Sequence, residues 1–319
     1  MDRAPDHADV TRLVERHRKE LIAHCYRILG SLSDAEDAVQ DAMVRAWKAL
    51  PAFEGRSSVR RWLYAIATRT ALDVAERRRA RTLPLWAGPA GSPTGPLPPP
   101  SSDVPWLEPI PDDLIADDAP GPEALLSSRE SVALAFLTAL QQLPARQRAA
   151  LILRDVVGMS AQETAEVLET SVPAANSALQ RARDTLASQP HAADAVADPA
   201  LLARFVAAFE QQDADALIAV LKDDAALSMP PTPLWVRGSA DIRAFLAGSL
   251  FPSPMGIQKL VATRANGGPA FAVYAKGKDG AFVAAALDVV VVREGRVAEI
   301  HAFLGADLAR FGLSPILAA

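Results

Sequence analysis

The 319 residues carry 33 Lys and Arg against 38 Asp and Glu, a formal charge of −5, and half of them are apolar, enough for two or three domains with cores of their own. The single cysteine, Cys25, excludes an intramolecular disulfide and fits a reducing compartment. The opening MDRAPDHADV has no apolar stretch of signal-peptide type, and the longest apolar run, FVAAALDVVVV at 282–292, is too short to span a bilayer, so a soluble, cytoplasmic protein with no membrane partner is expected.

Residues 9–81 read as helices. Leu13, Val14, His17, Leu21, Cys25 and Ile28 recur at helical spacing, and Gly30 supplies a stop. In SLSDAEDAVQDAMVRAW (31–47), Ser33 with Glu36 reads as a capping box, and Val39, Met43, Ala46, Trp47 and Leu50 as the buried stripe. Asp34, Asp37 and Asp41 then fall on the opposite face, flanked by Glu36 and Gln40. No His or Cys shares that face, so the acids could at best hold a hard cation through oxygen alone, and no metal is expected. A solvated face and a docking surface for a basic partner remain as alternatives.

A third helix begins near Ser57, with Val59, Trp62, Leu63, Ile66, Thr70 and Val74 inward and Arg60, Arg61, Tyr64 and Thr68 outward. It ends in ERRRAR, 76–81. Arginines neutralise phosphates and aromatic rings stack on unpaired bases, so this mixture suits a nucleic-acid strand being opened. The alternative is a charged helix end with Trp62 in the core.

Residues 82–126 interrupt the helices. The stretch 82–128 holds twelve of the 25 prolines, seven acids and no Lys or Arg, which reads as an extended linker. One tract within it, PWLEPIPDDL, is too aromatic and apolar for a passive spacer. From 127 to 187 the chain is helical again. Ser160 with Glu163 forms a capping box, ETSV makes a turn, and Ala175, Leu179, Ala182 and Leu186 form the buried face of the next helix. That is a helix-turn-helix pattern, shared with ordinary αα-hairpins.

After a softer boundary at 187–200, residues 198–319 change period. Helices (Leu201 to Phe209, then 239–250) precede strands IQKLVATRA, AFAVYAK, AFVAAALDVVVV and RVAEIHAFL, with KDG and REGR as hairpin turns. This is an α+β arrangement. Asp224, Asp288, Glu299 and His301 are its titratable candidates, and Trp235 a candidate pocket wall. Asp288, inside an apolar run, is the most notable, and His301 reads as structural. Nothing in the sequence brings two of them together, so no catalytic residue and no cofactor are expected, only a degenerate pocket.

Residues 9–187 resemble a sigma factor of the extracytoplasmic-function (ECF) type in the sigma-70 family, the dissociable promoter-recognition subunit of bacterial RNA polymerase. DAEDAVQDAMVRAWKALPAFEGRSSVRRWLYAIATRTALDVAERRRAR resembles sigma domain 2, and LPARQRAALILRDVVGMSAQETAEVLETSVPAANSALQRARDTL resembles sigma domain 4. Residues 198–319 resemble the SnoaL-like, ketosteroid-isomerase-like cone. The resemblance implies two all-α domains, a three-to-four-helix domain 2 at 9–81 and a helix-turn-helix domain 4 at 127–187. A Pro-rich acidic linker joins them, and an α+β cone domain follows.

It also implies roles. Asp34, Glu36, Asp37, Gln40 and Asp41 would grip the polymerase clamp. Phe53, Arg56, Ser57, Arg60, Arg61, Trp62, Tyr64, Arg69, Arg77, Arg78 and Arg79 would capture and melt the −10 element. Ser171, Pro173, Ala174, Asn176, Ser177, Gln180, Arg181 and Arg183 would set the recognition helix into the −35 major groove. The linker would thread the RNA path. Ala174, Asn176 and Ala178 stand where the family often has Thr, Lys and Arg, which implies weaker phosphate anchoring; Asn176 and Gln180 are placed to read adenine edges. The implied partners are the β and β′ subunits of core RNA polymerase, promoter DNA and a small-molecule ligand in the third module. That module would tune activity in place of a separate anti-sigma factor. Two rivals stand beside this reading: a cone-fold cyclase, isomerase or hydrolase with a DNA-binding arm, and a helix-turn-helix regulator that never engages polymerase. Neither needs an acidic helix beside a melting segment.

Overall fold

The computed structural model describes residues 7–53, 55, 58–95, 97–115, 126–187, 197–251, 258–277 and 279–317. The chain divides into two compact units, one of residues 1–81 with 113–190, the other of 82–112 with 191–319.

The first unit opens with α1 (His7–Leu29), α2 (Leu32–Ala49) and α3 (Val59–Arg77). Gly30, at φ 70°, ends α1 in the left-handed conformation that glycine adopts without strain. Ser31, not Ser33, caps α2 by accepting from the Asp34 amide, and Ser58 caps α3 by accepting from the Arg61 amide. The buried stripe of α2 is Ala35, Ala38, Val39, Ala42 and Ala46. It is rotated from the one expected, and Trp47 and Val44 are half exposed. Four alanines on the inner face let α1 and α3 approach α2 closely, and the larger side chains turn outward. Leu21, Ile28, Leu63 and Ala67 complete this core.

A single turn, α4 (Pro84–Ala87), belongs to the second unit. The first unit resumes with α5 (Leu134–Gln141) and α6 (Ala145–Leu151), which runs on into a π turn at Ile152–Val156. It closes with α7 (Ala161–Val167) and α8 (Val172–Leu186). The Ser160–Glu163 capping box is formed, and Ala175, Leu179, Ala182 and Leu186 are buried, as the sequence predicts. Buried polar groups join α5 and α6 to α1. Arg27 donates to the Ser131 hydroxyl at 2.8 Å, and Arg148 and Gln141 both donate to the Ile28 carbonyl.

The second unit contains α9 (Pro199–Glu210), α10 (Ala214–Val220) and α11 (Ser239–Phe245) on one face of a seven-stranded sheet. Its strands are β1 (Leu221–Ser228), β2 (Trp235–Arg237), β3 (Gln258–Ala265), β4 (Gly268–Lys276), β5 (Phe282–Arg293), β6 (Arg296–Leu304) and β7 (Ile316–Leu317). The order is β2-β1-β6-β5-β4-β3, with β7 on β5; β1 and β6 run parallel and every other pair antiparallel. Phe205, Phe209, Phe245, Phe271 and Val290 lie in the core between helices and sheet. The four predicted strands are present as β3 to β6, whereas β1, β2 and β7 were not legible.

The linker is not a free spacer. Residues 82–112 pack with the C-terminal module, burying Trp106, Leu107 and Ile110. The Ile110 carbonyl accepts from the Asn266 amide at 2.9 Å, and Asp112 accepts from Arg264 and from the Gly267 amide, each at 2.8 Å. At the other end of the tract the Trp235 indole donates to the Gly88 carbonyl and the Gly91 amide to the Trp235 carbonyl. A Cβ on Gly91 would lie 2.5 Å from Leu234 Cδ1, so a larger residue here would displace the end of that side chain. Pro-rich segments stay extended, and an extended segment can lie along a folded surface as readily as in solvent.

Candidate nucleic-acid interface

On α2, Asp37, Gln40 and Asp41 are exposed and Glu36 is half-buried, so these four form the acidic face the sequence predicts. Asp34 departs from it. Its carboxylate is buried and accepts from Arg78 and, at 2.8 Å, from Arg81 at the end of α3. The rotation of the α2 stripe turns the first helical turn toward α3, and the position expected outside is carried in.

The inner part of α3 is organised around Glu20 of α1. Arg60 donates to Glu20 at 2.8 Å, Tyr64 donates its hydroxyl at 3.1 Å, and Arg60 also lies 5.0 Å from the Tyr64 ring centroid. Tyr64 was expected to face outward and is instead buried; burial, reinforced by Glu20, raises its phenol pKa. Thr68, also expected outside, is buried and bonded to His24 at 2.8 Å. Burial, then Arg27 and Arg60, lowers His24 to about 3, so it stays neutral. Trp62 is half-buried and tilts against Phe53 with centroids 4.9 Å apart.

The outer arginines of α3 divide into two groups. Arg61 pairs with Glu163 of α7, and Arg69 donates to the Glu166 and Val167 carbonyls at 3.0 Å and pairs with Glu169 at 3.1 Å. The first helix of the helix-turn-helix therefore occupies both. Arg77, Arg78 and Arg79 are exposed past it. Arg56 and Ser57 lie outside the described residues.

On α8, Ser171 caps the helix, Pro173 sits in its first turn, and Ala174, Asn176, Ser177, Gln180 and Arg181 are exposed. Proline suits that position because its missing N–H would have no helical acceptor there. Arg183 is half-buried and donates to both carboxylate oxygens of Asp155 at 2.6 and 2.9 Å, which fixes α8 to the π turn and raises the Arg183 pKa. Gln180 donates to Asp184 at 2.8 Å. The buried and exposed sides of α8 are those the periodicity predicts.

The titratable candidates of the C-terminal module do not converge. Asp288 shares its face of β5 with Ala286 and Val290 and pairs with Phe271 and Ala302, so it points into the helix-covered core; burial raises its pKa to about 7. His301 pairs across strands with Ser228 and Val289, on the opposite face. There its ring bonds the Ser228 hydroxyl and the Glu299 carboxylate, both at 2.9 Å. Burial pushes Glu299 up, but His301 and Arg293 outweigh it and hold that carboxyl at about 2. Trp235 does not face Asp288; its indole is bound to the linker, and Arg237 lies 5.3 Å from its ring centroid. Asp224 is exposed. Among the described residues no cluster of three His, Cys, Asp or Glu could hold a metal ion.

Three family models match this architecture: sigma-70 region 2 over residues 13–82, sigma-70 region 4 over 133–186 and the SnoaL-like domain over 202–300. The ECF RNA polymerase sigma factor SigG of Mycobacterium tuberculosis is 43% identical over 314 residues, spanning 96% of this chain and 84% of that protein. The chain belongs to the ECF sigma factors. SigJ of the same organism is 29% identical over 320 residues, 95% of this chain and 93% of its own. The crystal structure of SigJ aligns with a TM-score of 0.59 at 24% identity, over 96% of this chain and 99% of that one, so the fold is shared through all three modules. This sigma factor thus acts in transcription initiation, and two helical sigma domains with a C-terminal SnoaL-like domain are its architecture. No helix among the described residues is long and apolar enough to cross a membrane.

Sequence reasoning missed Glu20 as the anchor of Arg60 and Tyr64, and the pairing of Arg61 and Arg69 with α7. Glu20 lies beside Leu21 of the inner stripe, but a buried carboxylate is not readable without its partners.

Proposed function

We propose that this ECF sigma factor docks on the β and β′ subunits of core RNA polymerase through Glu36, Asp37, Gln40 and Asp41, and sets α8 into the −35 major groove. Phe53, Trp62 and the arginines of α3 then capture the opened −10 strand. The observation that best supports it is the exposed face of α8, where Asn176, Ser177, Gln180 and Arg181 stand clear of a buried alanine and leucine stripe. Such a helix can enter a major groove without unfolding. Because α7 engages Arg61 and Arg69, −10 capture requires α7 to leave α3.

The domain layout that serves this function is 9–81 for domain 2, 127–187 for domain 4 and 198–319 for the SnoaL-like domain, with the linker between. The C-terminal domain tunes activity without covalent chemistry of its own and without a separate anti-sigma factor, and accepts a small molecule if it senses one. The separation of Asp288 and His301 on opposite sheet faces favours this over an isomerase, which needs a base and an oxyanion donor facing one cavity.

The experiment is binding to purified core polymerase, followed by run-off transcription, for the wild type and for Asp37→Lys/Asp41→Lys. Tight binding that the double variant loses supports the acidic docking face. Equal binding by both removes it.

A further inference from the structure

At the end of α3 the first unit forms a half-open cavity of about 180 Å³, with Arg78, Arg79, Arg81, Asp34, Gln141 and Arg148 in its lining. Four arginines and one carboxylate thus line it, an excess of three positive charges around a small concave space. Arg78 and Arg81 share Asp34. Arg79 is exposed and makes no ion pair among the described residues. Arg148 is only 4% exposed, and its donors go to uncharged oxygens alone: the carbonyls of Ile28, Leu140, Gln141 and Leu143 and the side-chain oxygen of Gln141. Burial lowers its pKa to about 10, which leaves it protonated at neutral pH.

These bonds use all five N–H donors of Arg148, so its charge is solvated by dipoles but not neutralised, and beside three further arginines it attracts an anion through charge rather than through a direct hydrogen bond. A second carboxylate would supply two oxygens in one plane. A phosphate presents more oxygens around one centre, and the planar fork of arginine binds it through paired hydrogen bonds. We propose that this cavity is a binding site for a small phosphate-class anion, with a diphosphate group as the preferred occupant. Arg78 and Arg79, from the domain 2 side, supply the forks, and Arg148, from the domain 4 side, lines the same space and contributes its charge, so the anion draws the end of α3 toward the α5–α6 segment. Where Arg78 and Arg79 also serve the −10 strand, as proposed above, the anion and that strand compete for them.

The test is calorimetric titration of the full chain at fixed ionic strength with sodium pyrophosphate, inorganic phosphate and GDP, with melting temperature read in parallel. The expected result is saturable one-to-one binding of pyrophosphate, roughly tenfold tighter than phosphate because more oxygens meet more forks. Arg79→Glu weakens it by roughly tenfold or more, and Asp34→Asn tightens it several-fold by releasing Arg78 and Arg81 from their carboxylate. GDP that binds as tightly as pyrophosphate identifies a nucleotide diphosphate as the occupant; GDP that binds more weakly identifies the free anion. The proposal is overturned if the heat does not saturate, or if Arg79→Glu and Asp34→Asn leave the affinity unchanged. Their opposite signs keep the test decisive even if one variant is less stable. Binding is measured without polymerase or promoter, so its failure and a failure of the transcription reading are separate results.

Discussion

Asp288 lies in the core of the SnoaL-like domain, beside Phe271, with its pKa raised to about 7 by burial from an ordinary 3.8. Between those two values the folded chain holds a proton that the unfolded chain has released. Stability is therefore fully present below about pH 4 and falls as pH rises toward 7, on the order of 4 kcal/mol at full effect. Glu299 works the other way, since its folded pKa of about 2 is below the ordinary 4.5 and its contribution is lost only in more acid solution. Urea midpoints of the C-terminal unit measured from pH 5 to 8 should thus fall with pH in the wild type, and Asp288→Asn should flatten the slope. A slope that survives in Asp288→Asn would place the titrating group elsewhere. The sequence singled out Asp288 from its apolar run but could not say which sheet face it takes. Asp34 shows the opposite difficulty. Its helical position was read correctly relative to a stripe that was itself rotated, because an alanine-rich face gives hydropathy little contrast between in and out.

At the scale of elements, legibility followed local signals. The Ser160–Glu163 box, the Gly30 stop and the α8 periodicity need no distant partner, and each is present. Strands β4 and β5 carry long apolar runs and β3 and β6 adjoin them across short turns, whereas β1, LKDDAALS, has three charged residues after its first leucine and β2 has three residues beside a proline-rich turn. β1 exists because the β6 edge offers it hydrogen-bonding partners, and β2 because β1 does so in turn, which are non-local facts. The chemistry of α8 permits a sharper expectation. Arg181 is its exposed cation, so Arg181→Ala should weaken −35 duplex binding uniformly across sequences and lower the salt slope by about 1. Asn176→Ala removes no charge. It should leave the salt slope unchanged and relax base preference at one position, at a cost of about 1–3 kcal/mol on the preferred site. Competition binding of duplexes at several salt concentrations separates the two effects, and identical slopes and preferences in both variants would count against α8 as the reading helix.

For the molecule as a whole, the least legible feature was the fate of residues 82–112. Proline density and the absence of Lys and Arg predict a segment without long helices or strands, and the apolar tract PWLEPIPDDL marks one unsuited to solvent. What it docks on is decided by Asn266, Arg264 and Trp235, more than 120 residues away. The tract is held by directed hydrogen bonds as well as apolar burial. The amides of Gly91, Ser101, Leu107 and Ile110 all donate, to the Trp235, Pro231 and Thr82 carbonyls and to Asn266 Oδ1. These four amides should exchange hydrogen slowly in the intact protein, in spite of lying outside any helix or strand. Ile110→Ala removes a fully buried side chain, at an expected cost of about 2–5 kcal/mol to that docking. It should speed exchange at Leu107 and Ile110 while leaving the amides of α2 and α8 protected. Exchange at random-coil rates at all four positions in the wild type would mean that the tract is a spacer after all. Uniform acceleration in α2 and α8 would mean that Ile110 supports the whole fold rather than one docked strand.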